Sequence, residues 1–182
     1  MKSKLLLFPL LGMIVVAMSS CLNNDEPDYN EWEQRNTKYV EDAEAETADG
    51  VKVWTKMTPP WAPGAFILAK WENDRSETAN ALCPLDNSLV HVKYALDNID
   101  GTRISDSYSI TTYGDGIYQT RPVNNITGFW YILTQMHIGD KVKCIMPAAA
   151  AYGNVAYGTI PPYSTLVYTI ELVDIPAFET PL

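Results

Sequence analysis

Tyr152 stands beside Gly153 at the end of the alanine run 148–151, and eight residues on Ile160 leads into Pro161 and Pro162. A tyrosine next to a glycine at the start of a loop sits where binding residues concentrate, on a segment presented by a rigid scaffold. Its phenol is a hydrogen-bond donor and acceptor that stays uncharged at neutral pH. Other familiar chemistries lack their residues. The two histidines, His91 and His137, fall in no metal-ligand spacing, no serine sits in a Gly-x-Ser-x-Gly elbow, and there is no glycine-rich phosphate loop. What remains is noncovalent chemistry, carried by aromatic and aliphatic side chains arriving from separate parts of the chain.

Those side chains need elements to deliver them. From Leu166 to Val173 two sets alternate: Leu166, Tyr168, Ile170 and Leu172 point one way, and Val167, Thr169 and Glu171 the other. Such a period of two predicts a half-buried strand. Pro161 and Pro162 cannot donate to a central ladder, so the strand starts after them. Residues 88–96 read as a second strand, with Val90, Val92 and Tyr94 on one face and Leu89, His91 and Lys93 on the other. Asp100-Gly101 then marks a tight reversal. Residues 51–57 and 65–71 read as strands divided by a proline-rich turn, 72–87 as polar loop, and 102–120 as strand pieces broken by Gly114 and Gly116.

One stretch has helical spacing. Ile126, Phe129, Leu133 and Met136 form an apolar stripe, with Thr127 placed to cap the start and Gly139 to close the end. Residues 141–146 follow as a strand with Val142, Cys144 and Met146 facing inward. Strands, one short helix, strand, loop and strand make an α+β domain, a mainly antiparallel sheet packed on a single helix.

The ends of the chain read differently. Lys2 and Lys4 precede an apolar run from Leu5 to about Met18, which closes on Ser19-Ser20-Cys21. This is a charged and then apolar export signal ending in small residues before a cysteine. It resembles the lipobox of bacterial lipoproteins, which implies lipidation of Cys21 and membrane attachment through acyl chains. Removing residues 1–20 takes away two lysines and no acids, so the formal charge of −9 becomes −11. Such a chain repels nucleic acid. Residues 21–49 read as an acidic tether, with Trp32, Asn36, Tyr39 and Val40 spaced for one side of a short helix. The folded domain is expected over 50–182. Cys83 and Cys144 are free to pair outside the cytoplasm, although a buried thiol at Cys144 is the simpler expectation.

Several blocks in order carry a family resemblance. "VHVKYALDNIDGTRISDS", "ITGFWYILTQMHIGDKVKCIMP", "AAAAYG" and "IPPYSTLVYTIELV" resemble successive blocks of the FKBP-type peptidyl-prolyl isomerases over roughly residues 88–175, and the details are similar to Bacteroidetes lipoprotein members. Residues 50–87 diverge. The resemblance implies a twisted half-barrel sheet wrapped around one short helix, no cofactor, and a site built from nine residues. Tyr94, Phe129, Tyr152 and Tyr168 would be the catalytic set, with Tyr152 offering its hydroxyl to a bound carbonyl and Phe129 at the pocket floor, where tryptophan is common. Ile104, Ser105, Tyr118, Ile126 and Ile160 would bind substrate, Ile126 through its backbone and Ile160 with a neighbouring N–H for a carbonyl. Ser105 stands where the family usually has an aspartate, and Asp106 follows one residue late. The implied partners are proline-containing segments of exported proteins, met at the outer membrane from the periplasmic or outer side. A non-catalytic peptide-binding or chaperone module using the same groove is the alternative, because the rim is altered at Ser105; each aromatic taken alone is an ordinary core residue.

Overall fold

A computed structural model describes residues 28–110 and 115–178. The export signal, Cys21 and the break at Gly114 lie outside the described residues. In chain order come helix α1 (Asn30–Ala45), a small hairpin of β1 (Thr47–Ala48) and β2 (Val51–Lys52), then β3 (Thr55–Met57) and β4 (Ile67–Trp71). The one-turn α2 (Arg75–Thr78) precedes β5 (Leu89–Asp97), β6 (Arg103–Asp106), the one-turn α3 (Ser107–Ile110) and β7 (Tyr118–Thr120). Helix α4 (Thr127–Leu133), β8 (Lys141–Met146) and β9 (Leu166–Ala177) complete the order.

The period-two run at the end of the chain becomes the middle of the sheet. β9 pairs with β8 on one edge and β5 on the other, giving the order β3-β4-β8-β9-β5-β6, with β7 also paired to β5. Every pairing in this seven-stranded sheet is antiparallel. The sheet does not close into a barrel. Its inner face carries Ile67, Val92, Cys144, Leu166, Ile170 and Leu172 against Phe129, Ile132 and Leu133 of α4. Gly128 lets α4 come this close. A Cβ there would stand 2.9 Å from Met146 Sδ and 3.1 Å from the Ala150 carbonyl oxygen, so a larger residue would push the helix, and Phe129 with it, off the sheet.

Five expectations change. The helix runs only to Leu133, and Met136 is buried in the turn that follows. Thr127 does not cap it; Ile126 occupies the N-cap without a side-chain hydrogen bond. Gly139, at φ +92°, instead shapes the approach to β8, where its N–H donates to the Leu172 carbonyl. The strand expected over 51–57 bends at Val53-Trp54 and divides between two sheets. Asp49 and Gly50, with φ of +51° and +79°, make the turn of the smaller sheet, the Asp-Gly pair that favours such turns. The polar 72–87 segment holds α2, anchored where the buried Asp140 carboxylate accepts from Asn73, Arg75 and Thr78. Cys83 and Cys144 are both unpaired, Cys144 fully buried.

The largest departure is on the other side of the sheet. The acidic segment contains a 16-residue helix, α1, and that helix is docked. Val40 and Ala43 pack on Leu68, Ile145 and Val167, residues whose outward direction the alternation of their strands dictates. Val167 is therefore buried on the outer face rather than exposed. Among the described residues, a helix longer than one turn packs on each face of the sheet, α4 on the inner and α1 on the outer.

Candidate functional site

Seven segments meet around a cavity of about 630 Å³. Strand β5 contributes Tyr94 and Leu96, β6 contributes Ile104 and Ser105, and β7 contributes Tyr118. The turn before α4 supplies Asn124, Asn125 and Ile126, and α4 itself supplies Phe129. The loop after β8 adds Tyr152 and the 157–160 segment, and β9 adds Tyr168. All nine residues singled out from the sequence thus stand on the wall of one cavity.

Phe129 and Tyr168 are buried at its base, with ring centroids 5.1 Å apart and planes at 65°. Tyr94 meets both edge-on or tilted, at 6.1 Å from Phe129 and 5.9 Å from Tyr168, and meets Tyr118 at 5.4 Å and 76°. Rings set this way present hydrogen-bearing edges to π faces, which holds each in place without filling the hollow between them. Trp130, the neighbour of Phe129, turns away. Its Nε1–H donates to Asp86 at 2.6 Å and its ring packs 4.8 Å from Trp61.

Ser105 brings an uncharged hydroxyl to the cavity wall. Its hydroxyl lies 3.2 Å from the Tyr94 hydroxyl. Asp106 does not take over. Its carboxylate is engaged by the N–H and hydroxyl of Ser109, and it lines a separate cleft with Glu72 and Lys93. Among the described residues, no charged side chain lines the main cavity. Burial pushes the phenols of Tyr94, Tyr152 and Tyr168 above the ordinary tyrosine value. For Tyr94 the bond to Ser105 works against that rise without reversing it. The three hydroxyls are neutral donors at physiological pH.

Two backbone N–H groups matter at the rim. The one on Ile160 is not available: it donates to the Tyr157 carbonyl at 2.9 Å, closing a four-residue turn. An N–H anchoring a carbonyl near Ile160 would therefore belong to a neighbouring residue and not to Ile160 itself. The Ile126 N–H, at the N-cap of α4, has no acceptor among the described residues. Leading N–H groups of a helix go unpaired within the helix itself.

The sequence reading passed over Leu96, Asn124, Asn125, Tyr157, Gly158 and Thr159. Tyr157 is the most conspicuous, since its ring stacks on Tyr152 at 4.3 Å with planes 6° apart. A signal was present. Ala151-Tyr152-Gly153 recurs as Ala156-Tyr157-Gly158, and the repeat brings two tyrosines to one loop.

A profile of the FKBP-type peptidyl-prolyl cis-trans isomerases matches residues 83–173. The chain belongs to this family. It is 40% identical over 112 residues to FK506-binding protein 2 of Debaryomyces hansenii, covering 60% of this chain and 76% of that protein. With the FKBP-type isomerase FkpA of Escherichia coli it shares 34% identity over 99 residues, 54% of this chain but only 35% of FkpA's length. A solved peptidyl-prolyl cis-trans isomerase from Pseudomonas syringae superposes with a TM-score of 0.64 at 21% identity, covering 82% of this chain and 97% of that one. That likeness establishes the fold.

Proposed function

We propose that this chain is a peptidyl-prolyl cis-trans isomerase that assists the folding of exported proteins. The observation that carries the reading is the uncharged cavity with Tyr94, Phe129, Tyr152 and Tyr168 on its wall. Rotation about an Xaa-Pro bond faces a barrier of about 18–20 kcal/mol because amide conjugation must be broken. No covalent bond is cleaved, so neither nucleophile nor strong base is required. The twisted amide has less charge separation than the planar one. A hollow of aromatic edges, poor in water, favours the twist over the ground state. The proline ring rests on Phe129 and Tyr168, the Tyr152 hydroxyl donates to a neighbouring carbonyl, and the Ile126 N–H takes a second. Each 1.36 kcal/mol or so gained at the twist is about tenfold in rate.

In the same proposal, residues 1–20 direct export and lipid on Cys21 anchors the protein in the outer membrane, facing the periplasm or the exterior. Fatty-acid labelling of wild type, lost in Cys21→Ala, tests the anchor. An Xaa-Pro tetrapeptide assay with and without a macrolide FKBP inhibitor tests the activity. Turnover blocked by the inhibitor is the expected result. Inhibitor binding without turnover would replace the enzyme by the peptide-binding module.

A further inference from the structure

The loop bearing Tyr152 and Ile160 lies between β8 and β9 and belongs to neither. It is tied together by hydrogen bonds within the loop itself. The N–H of Tyr163 donates to the Gly153 carbonyl at 2.8 Å, directly after Tyr152. The hydroxyl of Ser164 donates to the Pro161 carbonyl at 2.7 Å, directly after Ile160. Residues 163 and 164 thus hold the loop beside both rim side chains, and Tyr163 does so at φ +61°, a conformation bulky residues seldom adopt. Backbone of this kind persists only where its surroundings enforce it.

Helix α1 reaches the two residues that follow Tyr163. Its Trp32 Nε1–H donates to Ser164 Oγ at 3.0 Å. Four residues along, Asn36 Oδ1 accepts the Thr165 N–H at 2.7 Å, while Asn36 Nδ2 donates to the Trp32 carbonyl at 2.8 Å. Asn36 is 2% exposed, so its amide is committed on both sides and has no water to fall back on. Val40 and Ala43 make the apolar contact that docks the helix on the sheet. Trp32 and Asn36 touch something else: the irregular segment leading back to the site.

We infer that α1 belongs to the site's apparatus, with Trp32 and Asn36 as positioning residues that set Tyr152 and Ile160 through Ser164 and Thr165. The inference rests on the isomerase reading above for its kinetic consequence. Loops without such ties open at low free energy. With the ties in place, the Tyr152 hydroxyl and the Ile160 side chain are presented in one arrangement before substrate arrives.

The test uses the full chain with Trp32→Phe, which keeps the ring and removes the N–H, and Ser164→Ala, which removes the relay. Two readouts are taken: kcat and KM on an Xaa-Pro tetrapeptide, and amide hydrogen exchange at Ile160 and Tyr163. Each variant should lower kcat/KM about fivefold, the worth of one hydrogen bond, mainly by raising KM. The double variant should lose little more than either single one. Exchange at Ile160 and Tyr163 should quicken while the β8 and β9 amides keep their protection, and Ser164→Thr should restore both readouts. Unchanged kinetics and exchange, or exchange quickened evenly over the whole sheet, would overturn the positioning role. Should the wild-type chain turn over no peptide, the isomerase reading fails by itself, and the exchange data alone decide whether α1 sets the loop.

Discussion

The two faces of the sheet are built from alternate residues of the same strands, yet they are closed in opposite ways. On the inner face Tyr168 and its partners meet α4 through apolar surface, and the hollow left between the rings is the candidate site. One residue earlier, Val167 points outward and is covered by α1, a helix in which Asn36, Val40 and Ala43 alone are buried. The inner face is sealed by area, the outer by a small apolar patch plus directed hydrogen bonds. The difference teaches that a mostly polar helix docks where its few apolar residues and one committed amide find complementary partners. Because those partners include the segment behind the Tyr152 loop, the outer face bears on the inner one.

The largest effect that would break this contrast is on the inner face. Phe129→Ala should destabilise the protein by about 3–5 kcal/mol, the range for emptying a buried aromatic position, measured by urea unfolding. A loss below about 1 kcal/mol would mean that the floor is not part of the core. On the outer face Val40→Asp should cost about 2 kcal/mol through an unpaired charge at a buried contact. Proteolysis in the 46–54 segment should accelerate with it. If the resistance of that segment is unchanged, α1 is held by its polar ties and not by its apolar patch.

A smaller effect isolates chemistry from packing. Tyr152→Phe keeps the stacked ring and removes the hydroxyl, so kcat/KM should fall about tenfold while the Tm stays put. Loss of Tm instead would assign Tyr152 to structure. The smallest effect is an absence of change. A phenol whose pKa is raised keeps its proton to higher pH than a free one, so the donors of Tyr94 and Tyr152 persist past the ordinary value of 10.0. The kcat/KM on an Xaa-Pro tetrapeptide should therefore be level from about pH 6 to about pH 9, and an inflection in that window would place an ionising group at the site.

Much of the inner face was legible. The alternation at 166–173, the hairpin at Asp100-Gly101 and the stripe on α4 each follow from local periodicity, and the ordered blocks carried the nine cavity residues. Helix length was not legible, because Met136 satisfies the apolar stripe equally well in a turn as in a helix. Nor was the Ile160 N–H, whose engagement by Tyr157 depends on how four residues fold back on themselves. The docking of α1 was hidden most deeply: its spacing of Trp32, Asn36 and Val40 was visible, but an acidic, polar segment gives no local sign of what it will lie against.

By itself, the order of residues determined which side chains share a face, where strands reverse, and that the metal-ligand, nucleophile-elbow and phosphate-loop spacings are missing, since these are properties of near neighbours along the chain. Only the tertiary structure decided that seven segments leave a hollow instead of filling it, that Ser105 reaches the Tyr94 hydroxyl while Asp106 does not, and that Trp32 and Asn36 grip residues some 130 positions away. Those outcomes depend on contacts between segments remote in sequence, and such contacts exist only once the sheet has brought the segments together.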